Sequence, residues 1–211
     1  GSGKTRLLYA LAAEGAQVLD LEDLACHRSS VLGHIPGQPQ PSQKRFDTLV
    51  WQALRSFDPV RPVFVESESR KVGNLAVPES LILAMRASPC YQLELPEDER
   101  VQLLLEDYDF FVRDVESFCE RLQVLTDFRG KAVVEAWQAS VRAGQIEPVV
   151  QELLTQHYDP VYLQSMQRNF VQFAQVVHLH PADRSASAMS ALAKQLLVTT
   201  QRLWLKPCVR L

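Results

Sequence analysis

Apolar residues at helical spacing mark the first element of the chain. Leu7, Leu8 and Leu11 fall on one face of a helix that we predict over residues 5–13, and Gly15 ends it. The same spacing predicts further helices after Ser42, over residues 79–86 and over residues 187–197. Trp51 and Trp137 occupy positions that fit the buried faces of their helices.

Short continuous apolar runs separate these helices. They predict strands over residues 16–21, 62–65, 91–95 and 173–179. Strands that alternate with helices are typical of a parallel sheet covered by helices. The fold class that we predict is therefore α/β.

A long helical region interrupts this alternation between Pro96 and Phe170. Breaks are expected near Gly130, Gly144 and Pro148. We interpret the region as a helical insertion or lid between two late strands. The predicted division is a core over residues 1–95, the insertion over 96–170, a return to the core over 171–197 and a tail over 198–211.

The chain opens with GSGKT, the last part of the phosphate-binding motif G-x-x-x-x-G-K-[ST]. The predicted phosphate-binding residues are Gly1, Ser2, Gly3, Lys4 and Thr5. Glycines let backbone N–H groups point at a phosphate, the lysine reaches the terminal phosphates, and the threonine hydroxyl ligates Mg²⁺. The alternative is a flexible glycine-rich segment.

This motif refines the predicted fold to a P-loop NTPase-like parallel sheet whose first strand is truncated. That strand is normally central, so its loss would remove ladder partners and apolar cover from its neighbours. We therefore expect the isolated 211-residue chain to be unstable or to aggregate.

Carboxylates follow two of the predicted strands at the sheet edge where ligands of α/β proteins bind. Glu66 ends the run VFVE and, with Lys4, is a predicted catalytic residue. We expect Glu66 to hold Mg²⁺ through water, with Thr5 as the other metal ligand, or to orient a nucleophile. Asp20 is the second catalytic candidate, and Glu68 is a weaker one. The alternatives are a solvated strand end or a helix cap.

Net charge, cysteine spacing and the length of the apolar runs favour some classes of protein over others. The formal net charge of −3 gives no overall nucleic-acid signal, and residues 91–170 hold most of the acidic side chains. The 4 cysteines form no CxxC pair, which favours reduced thiols in a cytoplasmic protein. No apolar run approaches the roughly 18 residues of a membrane span.

Four stretches resemble the phosphate-loop domain of the tRNA 2-selenouridine synthases in order and spacing. They are GSGKTRLL, QVLDLEDLACHRSSVLG, QPQPSQKRFDTLV and VFVESESRKVGNLAVPESLILAM. The resemblance is specific to about residue 110 and looser through the helical region. That family usually has glycine where this chain has Ser29, which costs about 1 kcal/mol of strain if the position needs positive φ.

The resemblance implies an enzyme that acts on the wobble uridine in the anticodon loop of tRNA. The family exchanges the sulfur of 2-thiouridine for selenium from selenophosphate. It also transfers a geranyl group from geranyl diphosphate to that sulfur, and the S-geranyl form is the implied intermediate. An N-terminal rhodanese-like domain supplies the family's selenium-handling cysteine. None of the cysteines here lies in such a loop, so the chain by itself is not expected to complete selenation.

Several polar residues in the resembling stretches are candidate contacts for tRNA or the diphosphate. They are Arg28, Gln43, Lys44, Glu68 and Arg70. Surface ion pairs, a helix cap and a solvated loop are the alternatives for these residues.

Two rival functions fit the same features. One is a small-molecule kinase that uses ATP, with Asp20 or Glu66 as base. The other is a non-catalytic, nucleotide-dependent module that binds tRNA and presents it to the rhodanese domain. Whether the loop takes a nucleotide is open at this stage.

Overall fold

Six short strands in three pairs are present in the computed structural model, which describes residues 2–28, 30 and 32–204. These strands are β1 (Gln17–Leu19), β2 (Val63–Val65), β3 (Lys71–Val72), β4 (Leu75–Ala76), β5 (Tyr91–Leu93) and β6 (Val177–Leu179). β1 pairs in parallel with β2, and β5 pairs in parallel with β6. The parallel pairing that the alternation of elements predicts is therefore confirmed. β3 and β4 form an antiparallel hairpin that the sequence pattern did not predict.

Helices make up most of the remaining described chain. They are α1 (Lys4–Ala13), α2 (Leu21–Ala25), α3 (Gln43–Ser56), α4 (Glu79–Ala87), α5 (Glu97–Asp107), α6 (Asp109–Arg113), α7 (Val115–Leu122), α8 (Thr126–Arg129), α9 (Lys131–Arg142), α10 (Ile146–Glu152), α11 (Asp159–Asn169) and α12 (Ala186–Trp204). Ser42 caps α3 as predicted, because its hydroxyl accepts the backbone N–H of Arg45 at 3.3 Å. No helix in the described ranges has the length and apolar content needed to cross a bilayer.

Two clusters of buried apolar residues stabilise the part of the chain that contains the strands, which we call the α/β part. In the first, the apolar face of α1, with Leu7 and Leu11, packs on β5, β6 and α12. In the second, Phe46 and Val50 of α3 are buried together with Leu19 of β1. Burial of this kind is the main stabilising contribution to a domain core.

A third buried cluster lies within the region from α5 to α11. Its fully buried members include Leu122, Leu125, Val141 and Leu154, and Trp137 is buried there as predicted. The region therefore has a core of its own. Its role as a lid remains a prediction.

The predicted helix breaks at Gly130 and Gly144 are confirmed, and both glycines have positive φ. The break at Pro148 is wrong, because this proline lies in the first turn of α10. Backbone N–H groups there have no intrahelical partner, so proline costs no hydrogen bond. Between α10 and α11, residues Leu153–Tyr158 form a π-helical turn.

Three further predictions need correction. The late strand is only β6, because Phe173–Gln175 form a 3₁₀ turn. The last helix continues beyond residue 197 to Trp204, and the rest of the predicted tail, residues 205–211, lies outside the described residues. Trp51 is 56% exposed, because the buried stripe of α3 centres on Phe46 and Val50 and Trp51 lies about 100° away from Val50 around the helix.

Candidate functional site

The start of α1 places the residues of the GSGKT motif. Gly3 is the N-cap of α1 and has φ 82° and ψ 18°, a left-handed conformation that disfavours any side chain. A Cβ at this position would also lie 3.1 Å from Leu103 Cδ1 and 3.3 Å from Met189 Cε. The backbone conformation thus favours glycine here, and a Cβ would also require the ends of the Leu103 and Met189 side chains to shift slightly. Gly1 lies outside the described residues, and Ser2 is partly buried beside Gly3.

Lys4 and Thr5 form the first turn of α1 and face the end of β2. The Thr5 hydroxyl donates a hydrogen bond of 2.8 Å to Glu66 Oε1. Lys4 Nζ lies 5.8 Å from the centre of the Tyr162 ring, which belongs to α11. The structure therefore brings Glu66 next to Lys4 and Thr5, although Glu66 lies 61 positions after Thr5 in the sequence.

Three carboxylates gather beside Thr5. One oxygen from each of Glu22, Glu66 and Glu68 lies within 4.8 Å of the others. Glu66 is 3% exposed and Glu68 is 5% exposed, which is unusual for acidic side chains. Glu66 Oε2 has no hydrogen-bond partner among the described residues. Carboxylate oxygens are ligands of hard cations such as Mg²⁺, which takes one or two of them and fills its other positions with water or substrate phosphate.

The charges in this cluster strongly perturb one another. Burial, aided by the charges of Glu22 and Glu68, raises the pKa of Glu66 to about 8, although Lys4 and the Thr5 hydrogen bond act in the opposite direction. Burial acts to lower the pKa of Lys4, but the surrounding negative charges, with Glu66 the strongest, raise it above its usual value. Burial therefore favours the neutral form of Glu66, and the surrounding carboxylates favour the charged form of Lys4.

Asp20, the second predicted catalytic acid, is the N-cap of α2. Its Oδ1 accepts the backbone N–H of Asp23 at 2.8 Å. Burial raises the pKa of Asp20. The carboxylate that joins Glu66 from this segment is Glu22, which lies in the first turn of α2.

Arg28 lies where the α/β part meets the helical region. Its guanidinium carbon is 5.0 Å from the centre of the Tyr108 ring, and its Nη1 is 3.9 Å from Asp107 Oδ2. The pKa of Tyr108 is raised by burial, and the charges of Arg28, Glu22 and Lys4 also act on it. Arg28 is thus linked to α1 through Asp107, which also accepts an ion pair of 2.8 Å from Arg6. The neighbouring Ser29 lies outside the described residues.

Three other predicted substrate contacts belong to α3 and to the segment before β3. Gln43 holds the β3–β4 hairpin, because its amide exchanges hydrogen bonds of 2.8 and 2.9 Å with the backbone of Ala76. Lys44 is exposed on α3, and Arg70 is exposed before β3. The hydrogen bonds of Gln43 give it a structural role, and contact of these three residues with tRNA stays a prediction.

Sequence reasoning passed over Glu22 in favour of Asp20 and missed Tyr162. A carboxylate three residues after β1, in the first turn of a short helix, was the available signal for Glu22. Tyr162 carried no signal, because it lies 158 residues from Lys4 and reaches the loop only through the packing of α11.

Comparison with known proteins gives one family. Residues 1–129 match the family model described as the tRNA 2-selenouridine synthase AAA domain. Among curated proteins, the tRNA 2-selenouridine synthase of Cupriavidus pinatubonensis is 40% identical over 51% of this chain and 29% of its own length. Those of Hydrogenovibrio crunogenus and Bdellovibrio bacteriovorus are 30% and 26% identical, over 80% and 81% of this chain.

The chain covers 51% of the Hydrogenovibrio protein and 55% of the Bdellovibrio protein. It therefore spans about half the length of these two relatives, and less of the first. No solved structure is significantly similar to it.

Proposed function

Because the chain belongs to the tRNA 2-selenouridine synthase AAA domain family, we propose that it is the phosphate-binding part of a transferase that modifies the wobble uridine of tRNA. The substrates are tRNA, geranyl diphosphate and selenophosphate. The geranyl group is transferred to the sulfur of 2-thiouridine, and that sulfur is then exchanged for selenium. The rhodanese-like domain of the family is the expected partner in the second reaction.

The arrangement of Lys4, Thr5 and Glu66 is the observation that supports this proposal most directly. Gly3 is the N-cap of α1, and the first backbone N–H groups of a helix have no intrahelical partner and can bind an anion. Lys4 stays positively charged and can contact the diphosphate. The start of α1 and Lys4 thus form the part of the site that favours binding of a phosphate group.

The carboxylates provide the other end of the site. The Thr5 and Glu66 oxygens lie 2.8 Å apart, and Glu22 and Glu68 add further oxygens within reach. The unpartnered Glu66 oxygen fits a cation ligand, so Thr5 and Glu66 would hold Mg²⁺. Bound Mg²⁺ supplies neutralisation of the charge that develops on a leaving diphosphate, typically worth several kcal/mol.

The transfer step breaks the bond between the first geranyl carbon and the diphosphate oxygen, which keeps the electron pair. The sulfur of 2-thiouridine forms the new bond to carbon, and the base loses its N3 proton. Lys4 stabilises the departing diphosphate by charge. The target base lies in a single-stranded loop, so little unpairing is required. Arg28, which shares Asp107 with Arg6 of α1, is a candidate contact for the diphosphate or an RNA phosphate.

The test is a binding titration on the natural full-length protein. Labelled geranyl diphosphate is titrated with and without Mg²⁺, in competition with ATP and GTP, for wild type, Lys4→Ala and the control Lys131→Ala on the exposed face of α9. We expect Lys4→Ala to abolish Mg²⁺-dependent binding and Lys131→Ala to retain it. Mass spectrometry of the tRNA nucleosides then shows whether S-geranyl-2-thiouridine forms.

Other outcomes would revive the rival functions. Lys4-dependent binding of ATP with phosphorylation of an added acceptor would indicate a kinase. Binding of ATP or GTP that only strengthens tRNA binding, without any change in the tRNA, would indicate the non-catalytic module.

A further inference from the structure

Two histidines and a glutamate meet on one face of the β5–β6 pair. In the parallel register Gln92 lies opposite His178, and side chains two residues apart on a strand share one face. Glu94 directly follows β5 and His180 directly follows β6, so both share the face of His178. Glu94 precedes His178 by 84 residues, so only the pairing of the strands brings these side chains together.

The Glu94 carboxylate lies next to both imidazoles. Its Oε1 is 2.6 Å from His178 Nδ1, and its Oε2 is 3.6 Å from His180 Nδ1. The two rings are nearly parallel, with 10° between their planes and 6.3 Å between their centres. One nitrogen of each ring is therefore close to the same carboxylate, as a cation bound by all three side chains would require.

The backbone and a neighbouring amide hold Glu94 in place. Its backbone N–H donates a 2.8 Å hydrogen bond to the carbonyl oxygen of Leu179, which continues the contact between the strands beyond β5. Gln92 Nε2 donates a 2.9 Å hydrogen bond to Glu94 Oε1. The carboxylate is therefore positioned before an ion binds, which reduces the ordering that binding requires.

The distances are close to those of a tetrahedral zinc site. Zn–N and Zn–O distances of about 2.0–2.2 Å place a nitrogen and an oxygen ligand about 3.3 Å apart. The observed 2.6 and 3.6 Å lie on either side of that separation. Two imidazoles on one zinc have centres about 5 Å apart, so the two rings must approach by about 1 Å. Rotation of the side chains permits this, because 49% of His178 and 67% of His180 are exposed.

We propose that Glu94, His178 and His180 form a binding site for a divalent transition-metal ion such as Zn²⁺. Imidazole nitrogen favours such ions over Mg²⁺, whereas the carboxylate cluster at Glu66 offers only oxygen. Three protein ligands leave a fourth position for water or an anion, and the bound ion joins β5 to β6. The inference is independent of the proposed function, because no residue of the phosphate loop takes part in it.

Calorimetric titration of the natural full-length protein with Zn²⁺ tests this site. The protein is first treated with a chelator, and excess Mg²⁺ is present to compete for the carboxylate cluster. His178→Ala and His180→Ala should each weaken the binding of one Zn²⁺ at least about tenfold, because each removes a ligand. His34→Ala removes an exposed imidazole from another segment and should leave the titration unchanged.

Urea unfolding of the same proteins gives a second measurement. Zn²⁺ should raise the unfolding midpoint of wild type and of His34→Ala more than that of either cluster variant, because a bound ion stabilises the folded state. Equal midpoints without Zn²⁺ show that the variants are folded. Glu94→Gln, which keeps the size of the side chain and removes its charge, should behave like the histidine variants.

Two results would overturn the proposal. One is a wild-type protein that binds no Zn²⁺ under these conditions. The other is Zn²⁺ binding with unchanged affinity and stoichiometry in both histidine variants, which would place the ion elsewhere. Neither result bears on the proposed function, because Lys4-dependent binding of diphosphate is measured in a separate titration.

Discussion

Glu66 provides a prediction whose size follows from its environment. Its carboxyl group is almost fully buried, faces Lys4, Glu22 and Glu68, and has a pKa of about 8 in the folded protein against an ordinary value of 4.5. The folded state therefore keeps this proton between pH 4.5 and 8, whereas the unfolded chain loses it. The contribution of this carboxyl group to the free energy of unfolding is therefore complete below pH 4.5 and is lost progressively as the pH rises toward 8.

Glu66→Gln removes this dependence, because glutamine is neutral at every pH and its oxygen can still accept the Thr5 hydrogen bond. Each pH unit in the window costs wild type about 1.4 kcal/mol, so from pH 5.5 to 7.5 the variant should gain about 2.5 kcal/mol relative to wild type. The assay is urea unfolding at both pH values, without divalent cations, monitored by circular dichroism.

The exposed carboxylate of Glu79 supplies a matched control. Glu79→Gln changes the same functional group in the first turn of α4, where water reaches it in both states. We expect its difference from wild type to stay constant between the two pH values. If the difference for Glu66→Gln also stays constant, Glu66 is already ionised at pH 5.5 and the account of its burial is wrong.

Three further predictions concern the loop and the core. Gly3→Ala should lower the free energy of unfolding by at least about 1–2 kcal/mol, measured by urea unfolding, because alanine disfavours a left-handed N-cap. The same substitution should weaken diphosphate binding in calorimetry. Unchanged stability would contradict the left-handed conformation of Gly3. Thr5→Val should lose Mg²⁺-dependent diphosphate binding while Thr5→Ser keeps it, and equal affinities in both variants would exclude the hydroxyl as a ligand. Phe46→Ala should cost about 3–5 kcal/mol in urea unfolding, against less than about 1 kcal/mol for Trp51→Ala; similar costs would place Trp51 in the core.

The sequence determined the local structure of much of this protein. Helical spacing located α1 and α3, and the hydroxyl at Ser42 set the start of α3, because these signals act within a few residues of the backbone they order. The GSGKT motif and the run VFVE identified Lys4, Thr5 and Glu66, and the structure brings all three together.

Tertiary structure decided which neighbouring residues serve the site. Asp20 and Glu22 are both acidic and lie next to the same strand, but the carboxylate of Asp20 caps α2 and Glu22 reaches Glu66. Tyr162 reaches Lys4 only because α11 packs beside the loop. No local pattern distinguishes such cases, since the distances depend on elements far away in the chain.

Burial was also decided by packing. Trp51 and Trp137 both suit an apolar helical face, yet one is 56% exposed and the other 3% exposed. The sequence by itself specified the GSGKT motif, the acids that follow the strands and the helices around them. The three-dimensional packing specified which carboxylates share a charge environment, because that property depends on distances between elements that local interactions do not fix.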